Sequence, residues 1–260
     1  MKIAIIGGGN MGTAIASGLK RGFDALSSLI ISEKNTDRHA ELRELEIDVT
    51  DSNVEACKDA DVILLAVKPQ DFEALDVGNL KKDAIVISIM AGVSMRKIRT
   101  ALADHELVVR VMPNLPALIG KGVSGFFAPS LNDSQKQIIK AILTTLGSAV
   151  EVETEDDIDK VTALSGSGPA YIFYFLESLR DAGTDLGLDK DTAEKLALET
   201  MLGSAEYFKN GTASLEELRD RVTSKGGTTE KALQVLHNCG FKKSLAQAVK
   251  VAYERAKELS

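Results

Sequence analysis

The sequence begins with an apolar strand that runs directly into a glycine-rich turn and then a helix. Ile3–Ile6 is a continuous apolar run, which is typical of a strand buried in a parallel sheet. Gly7, Gly9 and Gly12 follow with the spacing G-x-G-x-x-G, and helical periodicity continues after them. Such a turn lets a pyrophosphate approach the backbone, where the free N–H groups of the first helical turn bind it. The context therefore predicts a dinucleotide site rather than a glycine turn without a ligand.

Composition excludes several other classes of protein. Lys and Arg number 31 against 38 Asp and Glu, which gives a formal net charge of −7, and no basic tract suggests a nucleic-acid partner. No stretch is long and apolar enough to span a membrane. Because a core strand begins at residue 3, we expect no cleavable signal. Cys57 and Cys239 are too few for a disulfide framework. We therefore expect a cytoplasmic protein.

Short apolar strands alternate with helical segments over the first half of the chain. After the first strand, the sequence predicts strands at 29–32, 47–50, 61–67, 84–89, 107–111, 122–127 and 149–152, and helices at 53–57, 94–102 and 133–146. This alternation indicates crossover connections and a parallel sheet, and ligands bind at the carboxyl ends of such strands. Segments 66–70, 89–93 and 112–116 should therefore line the cofactor cleft.

The second half is helical. From Thr154 onward no convincing strand remains, and Asp191 and Ser214 each start a segment with a glutamate three residues on, as at helix N-termini. The fold class is therefore an α/β Rossmann-like dinucleotide-binding domain, residues 1–152, followed by an all-α substrate and dimerisation domain, residues 153–260. The helices from Thr192 onward carry apolar residues on more than one face, which predicts an obligate dimer.

Residues after the second strand give conflicting indications of the cofactor. Glu33 lies about 20 residues past the glycines, where an acidic side chain binds the ribose 2′-hydroxyl of NAD. Ser32, Lys34 and Arg38 surround it and suit the 2′-phosphate of NADP, although the two cations also fit an ordinary exposed turn. We expect a modest preference for NADPH, with NADH as the alternative.

Two glycine-rich motifs in the second half carry more specific chemistry. The turn 164–171 leads into a helix with Pro169 in its first turn. The aromatic cluster at 171–175 is more typical of a core or subunit interface than of a substrate pocket, which is the alternative. In the 224–229 loop, two glycines permit close backbone approach. The unpaired amides of Thr228 and Thr229 suit a small carboxylate. An N-capped turn is the simpler alternative for that loop.

These motifs resemble the pyrroline-5-carboxylate reductase family. The resemblance rests on 10–12, 66–69, 112–114, 164–170 and the 224–229 loop, and it covers essentially the whole chain in order. It implies reduction of 1-pyrroline-5-carboxylate to L-proline by hydride from NAD(P)H, the last step of proline biosynthesis. It also implies a homo-oligomer, either a dimer with interlocking helical domains or a larger ring of dimers. Lys225 departs from the family's usual proline, and Glu33-Lys34 from a common Asn-Arg.

The resemblance also assigns roles to individual residues. Glu155 matches an acidic position near the substrate. Separately, the imine nitrogen needs a proton and no histidine is well placed to supply it, so Thr229 or a water is the candidate donor. With the glycine turn and strand ends included, the expected cofactor-binding residues are Ile6, Gly7, Gly8, Gly9, Asn10, Met11, Gly12, Ser32, Glu33, Lys34, Asn53, Ala66, Val67, Lys68, Pro69, Ile89 and Ala91. The expected substrate-binding residues are Glu155, Ser224, Gly226, Gly227, Thr228 and Thr229, of which Thr229 and Ser224 are the catalytic candidates. No metal is expected, because His237 and Cys239 supply only two ligands.

Two other classes of protein compete with this interpretation. A β-hydroxyacid dehydrogenase has a similar layout, but its lysine on the helix after the glycine turn falls at Ile172 here. A non-catalytic module that senses dinucleotides would bind the cofactor without turnover. That alternative leaves the 224–229 loop unexplained.

Overall fold

The computed structural model describes residues 1–259 and contains one eight-stranded sheet. Its strands are β1 (Lys2–Ile6), β2 (Ser28–Ser32), β3 (Asp48–Thr50), β4 (Val62–Leu65), β5 (Ile85–Ser88), β6 (Val108–Met112), β7 (Gly122–Phe127) and β8 (Gly147–Glu151). Their order in the sheet is β3-β2-β1-β4-β5-β6-β7-β8. The order reverses between β1 and β4, and in open α/β sheets this switch point is where ligands bind.

The helices around this sheet cover both of its faces. They are α1 (Asn10–Gly22), α2 (His39–Glu44), α3 (Asn53–Cys57), α4 (Met95–Ala101), α5 (Asp133–Thr144) and α6 (Glu155–Val161). Successive side chains of β1 point to opposite faces, so Ile3 and Ile5 join one apolar core while Ala4 and Ile6 join the other. A strand buried on both faces explains why the first strand is a continuous apolar run.

β7 departs from the expected parallel sheet, because it runs antiparallel to β6. The connection between them spans only residues 113–121 and contains a short 3-10 helix, Leu115–Ile119. A parallel return needs a crossover of about a dozen residues or more, so a connection this short permits only antiparallel pairing. β8 is again parallel to β7, since α5 supplies the crossover between them.

The rest of the described chain is helical, as predicted. A π-helical segment, Thr162–Gly166, is followed by α7 (Gly168–Asp185), α8 (Lys190–Lys209), α9 (Leu215–Arg221), α10 (Thr228–Asn238) and α11 (Phe241–Leu259). Ser214 and Glu217 form a capping box at the start of α9. Helix α8 begins slightly earlier than the sequence indicates, because Asp189 is its cap and accepts a hydrogen bond from the Thr192 N–H. Within residues 1–259, no helix is both long and apolar enough to cross a bilayer.

The chain forms two compact units. The first comprises Met1–Ser167 together with the segment that begins at Ala252, and the second comprises Gly168–Val251. Helix α6 belongs to the first unit because it packs against β6 and β7. The structural boundary therefore follows residue 167, later than the expected one near residue 152. The functional division at residue 152 stays a prediction.

Candidate active site

The glycine turn adopts the conformation that a dinucleotide site needs. Gly7 has φ +106°, and a Cβ there would lie 2.8 Å from the carbonyl oxygen of Ala66. A Cβ on Gly12 would overlap the carbonyl oxygen of Gly7, which shows how closely α1 packs against the turn. These two glycines are therefore explained by the fold itself, the first by its left-handed backbone and the second by close packing.

Gly9 is different, because nothing lies within 4 Å of the position where its Cβ would be. Gly9 is the N-cap of α1, provides no side-chain acceptor, and is followed by no acidic residue in the first turn. The helix N-terminus therefore presents its amides and its positive dipole end to an open space. This open cradle fits the pyrophosphate of a dinucleotide and needs no other residue to be displaced.

Backbone hydrogen bonds draw the expected cofactor residues into one row at the sheet edge. The Gly7 N–H donates to the Ser32 carbonyl, Ala66 N–H donates to Ile6, and Ile89 N–H donates to Leu65, at 2.8, 2.8 and 3.1 Å. The carboxyl ends of β2, β1, β4 and β5 thus lie side by side. The other members expected on this edge follow their strands directly: Ala91 is half-buried after β5, as is Val67 after β4, while Lys68 and Pro69 are exposed.

Glu33 is held by the backbone on both sides. Its Oε2 accepts from the Gly8 N–H and its Oε1 from the Asn35 N–H, each at 2.8 Å. The carboxylate is thus fixed against the glycine turn, while Lys34 is exposed. Ser32 is buried, and its hydroxyl donates to Asn53 Oδ1 at 2.6 Å. These contacts place one anion and one exposed cation where the adenosine ribose of a bound dinucleotide is expected.

Glu155 belongs to a buried ion-pair network that sequence reasoning missed. Arg110 lies on β6 with a side chain only 3% exposed, and its guanidinium pairs with Glu155 Oε1 at 3.0 Å and with Asp159 Oδ1 at 3.4 Å. The Met95 N–H also donates to Glu155 Oε1, at 2.7 Å. The sequence does contain one signal of this network, a lone arginine inside an apolar strand. A buried guanidinium requires a carboxylate partner.

Two of the sequence motifs meet in the first unit. The Asn114 side chain donates to Ser165 Oγ at 3.2 Å and accepts from the Val123 N–H at 3.0 Å. The segment after β6 is thereby tied to the π-helical segment. Single-turn π-helices within α-helices are frequent at functional sites.

The 224–229 loop lies in the second unit, between α9 and α10. Gly226 has φ +75°, and its N–H donates to Glu230 Oε2 at 2.8 Å. The Gly227 N–H donates to the Ser224 carbonyl at 3.0 Å. Gly227 is the N-cap of α10 without a side-chain cap, so in the described part of the chain the amides of Thr228 and Thr229 meet no protein acceptor. Among the described residues, the amides of both glycines are thus bonded within the protein, unlike those of the two threonines.

The fold and the glycine turn together define a Rossmann-type, NADP-dependent oxidoreductase. Residues 155–259 match a family model described as pyrroline-5-carboxylate reductase dimerisation, and residues 2–92 match one described as NADP oxidoreductase coenzyme F420-dependent. The chain belongs to the pyrroline-5-carboxylate reductase family.

Similarity to individual members of the family extends over the whole chain. The pyrroline-5-carboxylate reductase of Pseudomonas aeruginosa is 38% identical over 264 residues, covering 100% of this chain and 97% of the relative. Among solved structures, a pyrroline-5-carboxylate reductase from Coxiella burnetii has a TM-score of 0.92 at 37% identity. The match covers 100% of this chain and 98% of the Coxiella chain. The pyrroline carboxylate reductase of Plasmodium falciparum, solved with NADP bound, has a TM-score of 0.84 at 31% identity, covering 100% and 98%.

The helical region is a dimerisation domain, and the protein is a homo-oligomer. Large apolar side chains lie exposed on α7 in the single chain: Phe173 is 56% exposed, Tyr174 72% and Ile172 49%. An exposed apolar surface of this kind marks an interaction site rather than a core. For the aromatic cluster at 171–175, this exposure in the single chain favours a subunit interface over a core.

Proposed function

We propose that this protein reduces 1-pyrroline-5-carboxylate to L-proline with NADPH as the cofactor, the last step of proline biosynthesis. The observation that carries the proposal is that one chain holds two glycine-rich turns at helix N-termini without a side-chain cap. One is open at Gly9 for a pyrophosphate, and the other presents the amides of Thr228 and Thr229. The first fits the cofactor, and the second fits a small carboxylate substrate.

In the first unit, the residues at the carboxyl edge of the sheet would hold the cofactor. The first-turn amides of α1 would bind the pyrophosphate, and Lys34 would pair with the 2′-phosphate of NADP as an exposed cation. Glu33 lies beside this position as a fixed anion, so we propose a modest preference for NADPH over NADH. When bound, the cofactor supplies the hydride, while the protein supplies orientation and electrostatics.

In the second unit, the 224–229 loop would hold the substrate carboxylate at the amides of Thr228 and Thr229. Reduction of the imine requires a proton at the ring nitrogen, and the half-buried Thr229 hydroxyl or a water is our candidate donor. Ser224 is the second catalytic candidate. Glu155 remains a proposed substrate residue through Oε2, because Arg110 and the Met95 amide both bind Oε1.

A spectrophotometric assay of NADPH and NADH oxidation with 1-pyrroline-5-carboxylate, without added metal, tests the proposal. We expect consumption of reduced cofactor that depends on the substrate. A folded protein that binds NADPH but turns over neither cofactor would overturn the reductase function and favour a sensor module. Thr229→Val in the same assay tests the proton donor, since a water donor predicts little loss of kcat.

We also propose a cytoplasmic location and a ring of dimers as the full assembly. The location is supported by two unpaired thiols, since Cys239 is exposed and Cys57 is buried, with a pKa raised to about 12 by desolvation. The ring follows from the family resemblance. Sedimentation velocity over a dilution series tests the assembly: we expect at least a dimer, and an active monomer would contradict it.

A further inference from the structure

Loop 224–229 is restrained in an unusual way. Residue 225 is a lysine where the resemblance implies proline, so no ring fixes the backbone before the two glycines. Two adjacent glycines leave a chain with much conformational freedom to lose when it becomes ordered. Some other contact must therefore hold the loop if its amides are to meet a ligand in one geometry.

Glu230 supplies that contact. It lies in the first turn of α10, and its Oε2 accepts from the Gly226 N–H at 2.8 Å, which connects the helix back to the loop that precedes it. A carboxylate that accepts from a backbone N–H forms a charge-assisted hydrogen bond, stronger than a neutral one. The Gly226 amide is thereby fixed while those of Thr228 and Thr229 stay available.

We infer that Glu230 is a positioning residue for the substrate carboxylate. It acts through the Gly226 N–H by holding the 224–229 loop in its carboxylate-binding conformation, and it does not itself contact the substrate. The inference rests on the proposed function of this loop. It predicts that loss of the acceptor oxygen weakens substrate binding and leaves cofactor binding alone.

The carboxylate charge has a second effect, opposite to the first. Glu230 places an anion beside amides that would bind another anion, so its hydrogen bond organises the loop while its charge repels the substrate carboxylate. Glutamine separates these effects, because its amide oxygen can accept from the Gly226 N–H without the negative charge. Alanine removes both effects at once.

Steady-state kinetics of three variants test the inference. Glu230→Ala should raise KM for 1-pyrroline-5-carboxylate about threefold to tenfold, with KM for NADPH unchanged, because removal of the negative charge offsets part of the loss of one charge-assisted hydrogen bond. Glu230→Gln should restore KM to the parent value or lower it. The matched control is Glu216→Ala, which removes an exposed glutamate from the first turn of the neighbouring helix α9 and should leave both KM values unchanged.

A double variant links Glu230 to the missing proline. In Lys225→Pro the ring restrains the loop, so adding Glu230→Ala should raise KM less than it does in the parent. Melting temperatures of all variants report whether each one is folded. A parent without turnover would refute the proposed function, whereas an active parent whose KM is unchanged in folded Glu230→Ala would refute the positioning role. Equal increases of both KM values would also refute it.

Discussion

Substituting Gly9 by alanine should separate cofactor binding from folding. Gly9 has φ −66° and ψ −178°, a conformation that alanine adopts without strain, and nothing lies within 4 Å of the added Cβ. Alanine raises the free energy of unfolding by about 0.4–1 kcal/mol, because it restricts the unfolded chain. It also lowers the free energy of unfolding by roughly the same amount, because alanine is a poorer N-cap than glycine. The stability of the ligand-free protein should therefore change by less than about 1 kcal/mol, or a few degrees in Tm.

Binding of NADPH should respond much more strongly. The methyl group would enter the open space beside the first-turn amides of α1, where the pyrophosphate is expected. Hydrogen bonds to a charged group contribute about 1.5–3 kcal/mol each, so we expect Kd for NADPH to rise about tenfold to 100-fold. At a cofactor concentration 100 times the parent Kd, the stabilisation by NADPH should fall from about 2.7 to about 0.4–1.4 kcal/mol.

Thermal melts without and with NADPH measure the stability of the ligand-free protein and its stabilisation by NADPH. Gly22→Ala is the matched control, because it lies at the other end of α1, where an added Cβ makes only an ordinary contact 3.8 Å from Thr145. Gly12→Ala should give the opposite result from Gly9→Ala. Its Cβ would overlap the Gly7 carbonyl, and such overpacking costs about 1–3 kcal/mol even without the cofactor. A Gly9→Ala protein that keeps the full NADPH-induced rise in Tm would refute the reasoning.

Three further perturbations address other parts of the chain. Glu33→Ala should raise the ratio of kcat/KM for NADPH over NADH about twofold to fivefold, because it removes an anion beside the expected 2′-phosphate. An unchanged ratio would show that Glu33 binds backbone amides without affecting the choice of cofactor. Lys225→Pro should keep kcat, add about 0.4–1 kcal/mol of stability and weaken the dependence of KM on ionic strength. If KM depends on ionic strength equally in the parent and the variant, Lys225 does not attract the substrate by its charge. Asp156→Asn should lower Tm near neutral pH. The pKa of Asp156 is lowered from 3.8 to about 2, chiefly by the hydrogen bond from the Tyr253 hydroxyl. Ionised Asp156 therefore stabilises the folded protein fully above pH 3.8, and this stabilisation is lost as the pH falls through about 2. A difference in Tm that persists unchanged at pH 2 would contradict this.

The sheet could be predicted because its signals are local. The central strands β1, β4 and β5 are built on apolar runs, and each of the observed strands lies within two residues of its predicted position. The glycine spacing likewise specifies a turn whose geometry depends only on its own backbone. The antiparallel direction of β7 could not be predicted from the residues of the strand, because the length of the connection from β6 decides that direction.

Contacts between distant residues could not be predicted in this way. Glu155 reads as one charge in an acidic surface run, yet its partner Arg110 lies 45 positions earlier in the middle of an apolar strand. By sequence Glu33 indicates the ribose 2′-hydroxyl of NAD, and only the structure shows that its carboxylate accepts from the Gly8 amide, 25 positions earlier. In each case the deciding partner is brought near by the fold, not by spacing along the chain.

The last helix has a consequence for how the chain folds during synthesis. Residues from Ala252 onward belong to the first compact unit, so the second unit is an insertion within the sequence of the first. There Tyr253 and Lys257 contact Asp156, and Leu259 packs closely on Gly92. At about 5–20 residues per second, a ribosome needs several seconds to translate residues 168–251. Throughout that interval the nascent sheet lacks its final contacts, so substitutions in the last two turns of α11 should reduce the yield of newly made protein.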